Sequence, residues 1–171
     1  GDDGIEQVHE VSLWAECASL ASGGRACRPA PDIRENPPMH TMPALSPRAL
    51  ELARTLVRMN TVSANSNLEL IHFIRDELAR LGVASRLTFN AEKTKANLFA
   101  TLGEGKPAGV ILSGHTDTVP WDGQDWSADP LEPAVRDGKL FGRGSADMKS
   151  FIALAVANAQ AFLRSDAPFA V

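Results

Sequence analysis

The sequence predicts an α/β fold, and three observations lead to this prediction. Two amphipathic helical patterns come first, strand patterns follow them, and a further helical pattern lies near the end of the chain. Helical and strand patterns in this order are typical of a sheet covered by helices. We therefore expect a mixed, mostly parallel sheet flanked by helices. The 171 residues, 44% hydrophobic and 22% charged, suffice for one domain with a sizeable core.

The first two helices have clear start signals. Ser46 can cap a helix whose first position is Pro47, a residue that suits this position because it needs no hydrogen-bond partner for an N–H. A capping box, Ser66-x-x-Glu69, opens the second helix, which should stop at Gly82. Apolar residues recur on one face of each helix, so both should pack on the sheet.

Three strand patterns follow the second helix. Residues 83–89 alternate strictly, residues 97–102 form a second run, and residues 110–115 form a short apolar run that ends in Ser-Gly-His. Further on, Asp137-Gly138 between two short runs indicates a two-residue hairpin, because Gly readily adopts a positive φ. The last helical pattern is mostly apolar, so we expect that helix to be largely buried.

Residues 1–41 differ in amino-acid composition from the remainder of the chain. This segment is acidic at its start and rich in closely spaced prolines at its end, a spacing that disfavours regular structure. We predict that residues 1–41 are a poorly ordered N-terminal extension and that residues 42–171 carry the domain. Cys17 and Cys27 both fall in the extension; we expect free thiols, with a disulfide as the alternative.

Charge and hydropathy exclude two classes of partner. The formal net charge is −4 and the sequence pI is about 5.5, so the chain offers no basic surface for nucleic acid. No apolar run approaches the length of a membrane span, and the run from Val11 to Ala21 is short and interrupted by Glu16. We expect a cytoplasmic protein with no nucleic-acid or membrane partner.

A candidate metal site follows the third strand. His115 and Asp117 are two residues apart, so an extended backbone would point both side chains to the same side. An imidazole is a good ligand for Zn²⁺, and a carboxylate on its other ring nitrogen would fix the tautomer. Asp147 lies 32 residues after His115, where a Gly-rich turn gives way to the last helical pattern. We predict that His115 and Asp147 bind metal and that Asp117 orients His115.

Each of these residues also has a purely structural alternative. A histidine at the end of a strand is usually packed or solvent-facing, and an aspartate where a helix begins can simply cap it. Arg143 could steady Asp147 or a substrate carboxylate, or could simply lie on a surface loop. Trp121 and Trp126 could shape the mouth of a cleft or merely pack a loop.

Two blocks of the sequence resemble the M20 family of metallopeptidases and amidohydrolases. The first is Gly-His-Thr-Asp-Thr-Val-Pro at 114–120, and the second is Asp-Gly-Lys-Leu-Phe-Gly-Arg-Gly-Ser-Ala-Asp-Met-Lys at 137–149. The resemblance runs roughly from Met42 to the end of the chain. Two separate blocks are far more specific than a lone His-x-Asp.

The resemblance implies part of a zinc-peptidase-like catalytic domain. In it His115 binds one metal, Asp147 bridges two, and Asp117 acts in catalysis by orienting His115. The implied cofactor is Zn²⁺, two per active site, with Co²⁺ as an alternative. The implied activity is hydrolysis of a small-molecule N-acyl amino acid. The family also has a non-proline cis peptide bond after the bridging aspartate, which predicts one at Asp147-Met148.

The resemblance further implies that part of the catalytic apparatus lies outside this sequence. The family's catalytic glutamate follows the bridging aspartate by a few tens of residues, whereas only 24 residues follow Asp147 and none is Glu. Further ligands and the lid domain through which many members form homodimers would also lie beyond Val171. We therefore expect the amino-terminal part of an enzyme, inactive by itself, whose whole protein is a homodimer.

Overall fold

The computed structural model describes residues 10–16, 46–103 and 109–164. Over these ranges the chain is a mixed α/β structure with three α-helices, a four-stranded sheet and a separate two-stranded sheet. The predicted α/β class is confirmed. None of the helices in these ranges combines the length and the apolar character that crossing a membrane requires.

Helix α1, Pro47–Arg58, begins as the sequence predicts. Ser46 is the N-cap residue, and its Oγ accepts a hydrogen bond from the backbone N–H of Ala49 at 3.1 Å. Pro47 occupies the first turn. The local start signals are sufficient here because both the cap and its partner lie within four residues of one another.

Helix α2, Leu68–Arg80, begins differently from the prediction. The N-cap residue is Asn67, whose side chain makes no capping hydrogen bond. Ser66 Oγ accepts from the N–H of Leu68 at 3.2 Å, not from that of Glu69 as a capping box requires, so the predicted capping box is wrong. Asn67 is 1% exposed and uses its amide for tertiary contacts, donating to the carbonyl of Ala96 at 2.9 Å and to Thr116 Oγ1 at 3.0 Å. A buried amide requires such partners, and they tie the start of α2 to the strand containing Ala96 and to the segment after His115.

The four strands of the main sheet are β1 at Glu10–Glu16, β2 at Ser85–Phe89, β3 at Ala96–Leu102 and β4 at Gly109–His115. Their spatial order is β2-β3-β1-β4. β1 is parallel to β3, whereas the β1–β4 and β2–β3 pairs are antiparallel. The predicted mostly parallel sheet is therefore wrong for the described residues. The connections from β2 to β3 and from β3 to β4 are short and reverse the chain, while a parallel crossover needs a dozen residues or more.

β1 lies in the segment for which the sequence predicts no regular structure. It is inserted between β3 and β4, with Val11 opposite Leu98 on one side and opposite Gly114 on the other. The prediction is wrong for these seven residues, because the backbone of β1 pairs with two neighbouring strands at once. The rest of residues 1–41, including both cysteines, lies outside the described residues.

The helices cover one face of the sheet. Along β3, Ala96, Leu98, Ala100 and Leu102 are buried in the core, whereas Phe99 and Thr101 between them are exposed on the opposite face. The core cluster combines β1 and β3 with apolar residues of all three helices. In the described part of the chain, the helices that flank the sheet therefore lie on this one face.

A hairpin carries the chain from the end of β4 back towards the site. β5 is Ala134–Arg136, β6 is Lys139–Phe141, and the two pair in antiparallel fashion. Asp137 and Gly138 have φ values of 49° and 72°. Two positive φ values are those of a type I′ turn, so the predicted hairpin is confirmed.

Helix α3, Ser150–Arg164, starts three residues later than the pattern suggests. Asp147 and Met148 have non-helical backbone angles within a single wide turn, Ser145–Lys149, that precedes the helix. This turn is closed by a hydrogen bond from Lys149 N to Gly144 O at 2.9 Å. Its irregular backbone presents Asp147 beside β4. The Asp147-Met148 peptide bond is cis, which confirms that expectation.

Candidate metal centre

The structure brings together the three residues predicted to form a site. His115 Nε2 lies 2.8 Å from Asp147 Oδ1, and His115 Nδ1 lies 3.1 Å from Asp117 Oδ1. The imidazole therefore sits between two carboxylates, one at each ring nitrogen. In this arrangement Asp117 can orient the ring, while Asp147 faces the ring nitrogen that would bind a metal ion.

These three side chains line a pocket of about 230 Å³ at the carboxyl end of β4. The wall is completed by Thr118, Val119, Gly142, Arg143, Gly144 and Ala146. The side chain of Asp147 is 84% exposed, whereas that of Asp117 is only 21% exposed. Asp147 can therefore meet an incoming cation directly, while Asp117 is partly enclosed in the wall.

Gly114, directly before His115, allows β4 to approach α3. A Cβ atom at this position would lie 3.0 Å from Phe151 Cδ1 and 3.1 Å from Ile152 Cγ1. Any larger residue would push the strand away from the helix. The glycine thereby brings the strand that carries His115 close to the turn that carries Asp147.

Gly144 has a similar role in the wide turn. Its φ is 79°, and a Cβ atom there would lie 2.7 Å from Thr118 Cγ2 and 3.1 Å from Lys149 Cδ. The Gly-rich motif therefore lets the turn pack closely on the segment after β4.

Lys149 lies beneath this turn and is a residue to which the sequence assigns no role. It is fully buried, and its Nζ donates to the backbone O of Met59 at 2.7 Å. Burial lowers the pKa of Lys149 to about 8. The sequence does contain one indication of this burial, because Lys149 lies directly before a mostly apolar helical pattern. Its contact joins the end of α1 to the start of α3 directly below the pocket.

The segment after β4 is held by the loop between α1 and α2. Thr118 N donates to Thr61 O at 2.9 Å, and Thr61 Oγ1 donates to Thr116 O at 2.6 Å. In the same loop, Ser63 Oγ donates to Asp117 Oδ2 at 2.6 Å. Ser63 is a second residue that sequence reasoning misses, because no local pattern indicates a contact with a residue so distant in sequence.

Arg143 contacts the loop beside the pocket. Its guanidinium lies over the ring of Trp126, 5.0 Å from the centroid, and donates to Gln124 Oε1 at 2.6 Å. The indole N–H of Trp126 donates to the same Gln124 oxygen at 3.2 Å. Of the alternatives for these residues, the observed contacts favour packing of the loop at the mouth of the pocket.

Two opposing effects act on the pKa of His115. Burial favours the neutral ring, but the hydrogen bond with Asp147 and the negative charges of Asp117 and Asp147 outweigh it and raise the pKa above its ordinary value. The protonated ring with Asp147 therefore stabilises the metal-free fold below the unfolded-state pKa, and this contribution is lost as pH rises through the raised folded-state pKa. Since His115 and Asp147 are 42% and 84% exposed, we expect the contribution to stay below about 1 kcal/mol.

We expect the Asp147→Asn substitution to lower the pKa of His115 in the metal-free chain. The measurement is an NMR titration of the His115 ring, with Asp125→Asn as a control that removes an exposed carboxylate from the neighbouring loop. An unchanged His115 pKa in Asp147→Asn would contradict the observed ion pair.

The donor set fits part of a metal site. Among residues 10–16, 46–103 and 109–164, no group of three or more His, Cys, Asp or Glu side chains is placed to hold a metal ion. An imidazole and a carboxylate are nevertheless ligand types that suit Zn²⁺. His115 supplies the imidazole, with Nδ1 against Asp117, and Asp147 supplies an exposed carboxylate. The described residues thus offer two ligands and one orienting group, and the metal role of each stays a prediction.

Comparisons with known proteins fall on the same segment. Residues 111–170 match the model of peptidase family M20/M25/M40, and this match includes His115, Asp117 and Asp147. Acetylornithine deacetylases are similar over 117 residues, with 38% identity for Pasteurella multocida, 41% for Photorhabdus laumondii and 40% for Proteus mirabilis.

Each of these alignments covers 64% of this chain and 30% of the relative. The chain therefore spans about 30% of the length of the curated relatives that it matches. The predicted resemblance is confirmed, and residues 111–170 are similar to peptidase family M20/M25/M40.

Proposed function

We propose that the protein to which this chain belongs is a metal-dependent amidohydrolase that cleaves the N-acetyl amide of acetylornithine to ornithine and acetate. The observation that supports this most directly is His115 held between Asp117 and Asp147 in one pocket. The relatives named acetylornithine deacetylase support the substrate. In this proposal the reaction belongs to arginine biosynthesis, and the protein is a cytoplasmic homodimer.

In the proposed site, His115 would hold one Zn²⁺, Asp147 would be a ligand common to both ions, and Asp117 would orient His115. Co²⁺ could replace Zn²⁺ with the same ligands. When bound, such ions act as Lewis acids on an amide carbonyl and supply a water nucleophile near neutral pH. With the Nδ1 proton of His115 directed to Asp117, 3.1 Å away, the Nε2 lone pair would be available to a metal ion in the pocket.

The hydrolysis also needs a general base. This base takes a proton from the attacking water and delivers a proton to the departing amine. No Glu occurs between Asp147 and Val171. We propose that the base, the further ligands and the surface that binds the ornithine moiety come from parts of the protein outside this sequence.

Two other functions remain as alternatives. A succinyl-diaminopimelate desuccinylase or a dipeptidase would use the same chemistry, and the residues at 120–123 and 144–147 favour the acetylornithine assignment over them. A non-catalytic piece that associates through a sheet edge belongs to another class. Phe89 on the outer strand β2 is 43% exposed, which is the observation in favour of that alternative.

The test is acetate release from acetylornithine by the full-length protein, with and without a chelator. The succinylated substrate and a dipeptide serve as competing substrates. We expect chelator-sensitive activity with a preference for acetylornithine. A preference for either competitor would replace the substrate assignment, and activity that resists complete metal removal would contradict the metal-dependent mechanism.

The 171-residue chain alone should show neither activity nor tight zinc binding. Two ligands rarely hold a dinuclear site. In this proposal the general base that takes the proton of the attacking water also lies outside this sequence. Isothermal titration with Zn²⁺ measures the affinity, and His115→Ala shows how much of any binding belongs to this pocket. A dissociation constant below about 1 μM, which corresponds to about 8 kcal/mol of binding free energy, would contradict the expectation.

A further inference from the structure

Ser63, in the loop between α1 and α2, contacts the carboxylate that holds His115. Ser63 Oγ donates to Asp117 Oδ2 at 2.6 Å, while Asp117 Oδ1 lies 3.1 Å from His115 Nδ1. Each oxygen of this carboxylate therefore has its own partner. We propose that Ser63 is a positioning residue that fixes the Asp117 carboxylate and thereby the tautomer and direction of the His115 ring. The consequence for metal binding rests on the proposed function; the effect on the ring does not.

The hydroxyl proton of Ser63 is directed to Asp117. A serine hydroxyl has one proton to donate, and its other acceptor within reach, the backbone O of Thr118, is 3.4 Å away. The 2.6 Å contact to a carboxylate is short, as expected for a hydrogen bond in which one partner is charged. The hydroxyl therefore acts on the side of the carboxylate away from the histidine.

Ser63 is itself held in place by its backbone. Its N–H donates to Thr118 O at 3.1 Å, and the ammonium group of Lys95 donates to its carbonyl. The reciprocal bond from Thr118 N to Thr61 O completes a short parallel bridge between this loop and the segment after β4. Because both strands of the bridge are fixed, the hydroxyl has a defined position relative to Asp117.

The ring of His115 is subject to competition for its proton. Nδ1 faces the carboxylate and the backbone O of Asp117, each at 3.1 Å, whereas Nε2 faces Asp147 Oδ1 at 2.8 Å. With Asp117 fixed, Nδ1 keeps its carboxylate acceptor, which offsets the attraction of Asp147 for the proton and increases the share of the Nδ1–H tautomer. If the carboxylate can rotate away, Nδ1 loses one acceptor and the proton shifts towards Nε2, the nitrogen that would bind metal.

The test compares the His115 tautomers in the metal-free chain at a pH at which an NMR titration of the same sample shows the ring to be neutral. Long-range ¹H–¹⁵N NMR gives the ratio of Nδ1–H to Nε2–H. We expect Ser63→Ala to lower this ratio at least about twofold, since the ring then loses part of one hydrogen bond. Ser63→Thr, which keeps the hydroxyl, should restore it.

Ser66→Ala is the matched control. Ser66 lies in the same loop, donates to the backbone O of Thr94 at 2.6 Å and accepts from the N–H of Leu68 at 3.2 Å. The substitution therefore removes a comparable donated bond, together with a weaker accepted one, without touching Asp117. Ser63→Cys keeps the size of the side chain but is a weak donor, and it takes the place of Ser63→Ala if that variant does not give a folded amide spectrum. A ratio within twofold of the unsubstituted chain in the folded variant overturns the proposal.

A zinc titration followed on the His115 ring signals separates this proposal from the proposed function. We expect Ser63→Ala to weaken the affinity by about threefold to tenfold, less than the loss of a group that touches the ligand directly. If the ring of the unsubstituted chain does not respond to millimolar Zn²⁺, the metal site is wrong for this chain. The tautomer ratio measured without metal still decides the role of Ser63.

Discussion

Replacing Asp147 with Asn in the full-length protein is expected to lower kcat/KM for acetylornithine by more than about a hundredfold, beyond the loss typical of residues that only support a ligand. The two side chains have nearly the same shape, so the fold should persist. The amide lacks the negative charge that the proposed bridging position requires, and it presents an NH₂ donor towards a cation. The measurement is steady-state kinetics together with elemental analysis of bound zinc.

Asp125→Asn is the matched control for this prediction. It makes the same chemical change at an exposed position in the loop beside the pocket, so kcat/KM and zinc content should remain those of the unsubstituted protein. If Asp147→Asn retains full zinc content and more than about a tenth of the activity, Asp147 does not have the ligand role, given the loss expected for ligand support alone.

Replacing Gly144 with Ala should lower the free energy of unfolding by about 3 kcal/mol, combining left-handed backbone strain with overpacking. The Cβ atom would lie 2.7 Å from Thr118 Cγ2 and 3.1 Å from Lys149 Cδ. Both neighbours are buried, at 5% and 0% exposure, so neither can move aside without disturbing the pocket wall. The measurement is denaturant unfolding of the metal-free chain.

Gly123→Ala isolates the steric part of this effect. Gly123 has a φ of 73°, close to the 79° of Gly144, but a Cβ atom there would meet nothing within 4 Å. This variant should lose only about 1 kcal/mol, the cost of the backbone strain. Equal destabilisation by the two substitutions would show that the close approach beneath Gly144 is unimportant.

Features with short-range causes were predictable from the sequence. The Ser46 cap acts on an N–H three residues away, and the Asp137-Gly138 turn determines its own hairpin. The meeting of His115 with Asp147 spans 32 residues, and it was predictable because each residue lies in a recognisable motif.

Features that depend on distant partners were not predictable in this way. Asn67 replaces the expected cap because its amide bonds lie on β3 and on Thr116, 29 and 49 residues away. Ser63 and Lys149 reach partners 54 and 90 residues away. The sheet order likewise depends on β1, a short strand whose pairing with distant strands leaves no local signal in the sequence. Tertiary contacts of this kind override local propensity.

The position of β1 has a consequence for the order in which the molecule assembles. Within the described residues β4 pairs only with β1, and Glu10 lies opposite His115, a loop closure of about a hundred residues. The helices and the β2–β3 pair involve much shorter separations, so they can form early, while non-local strand pairing is slow. The strand that ends at His115 therefore docks late, and the pocket is among the last parts of the fold to mature.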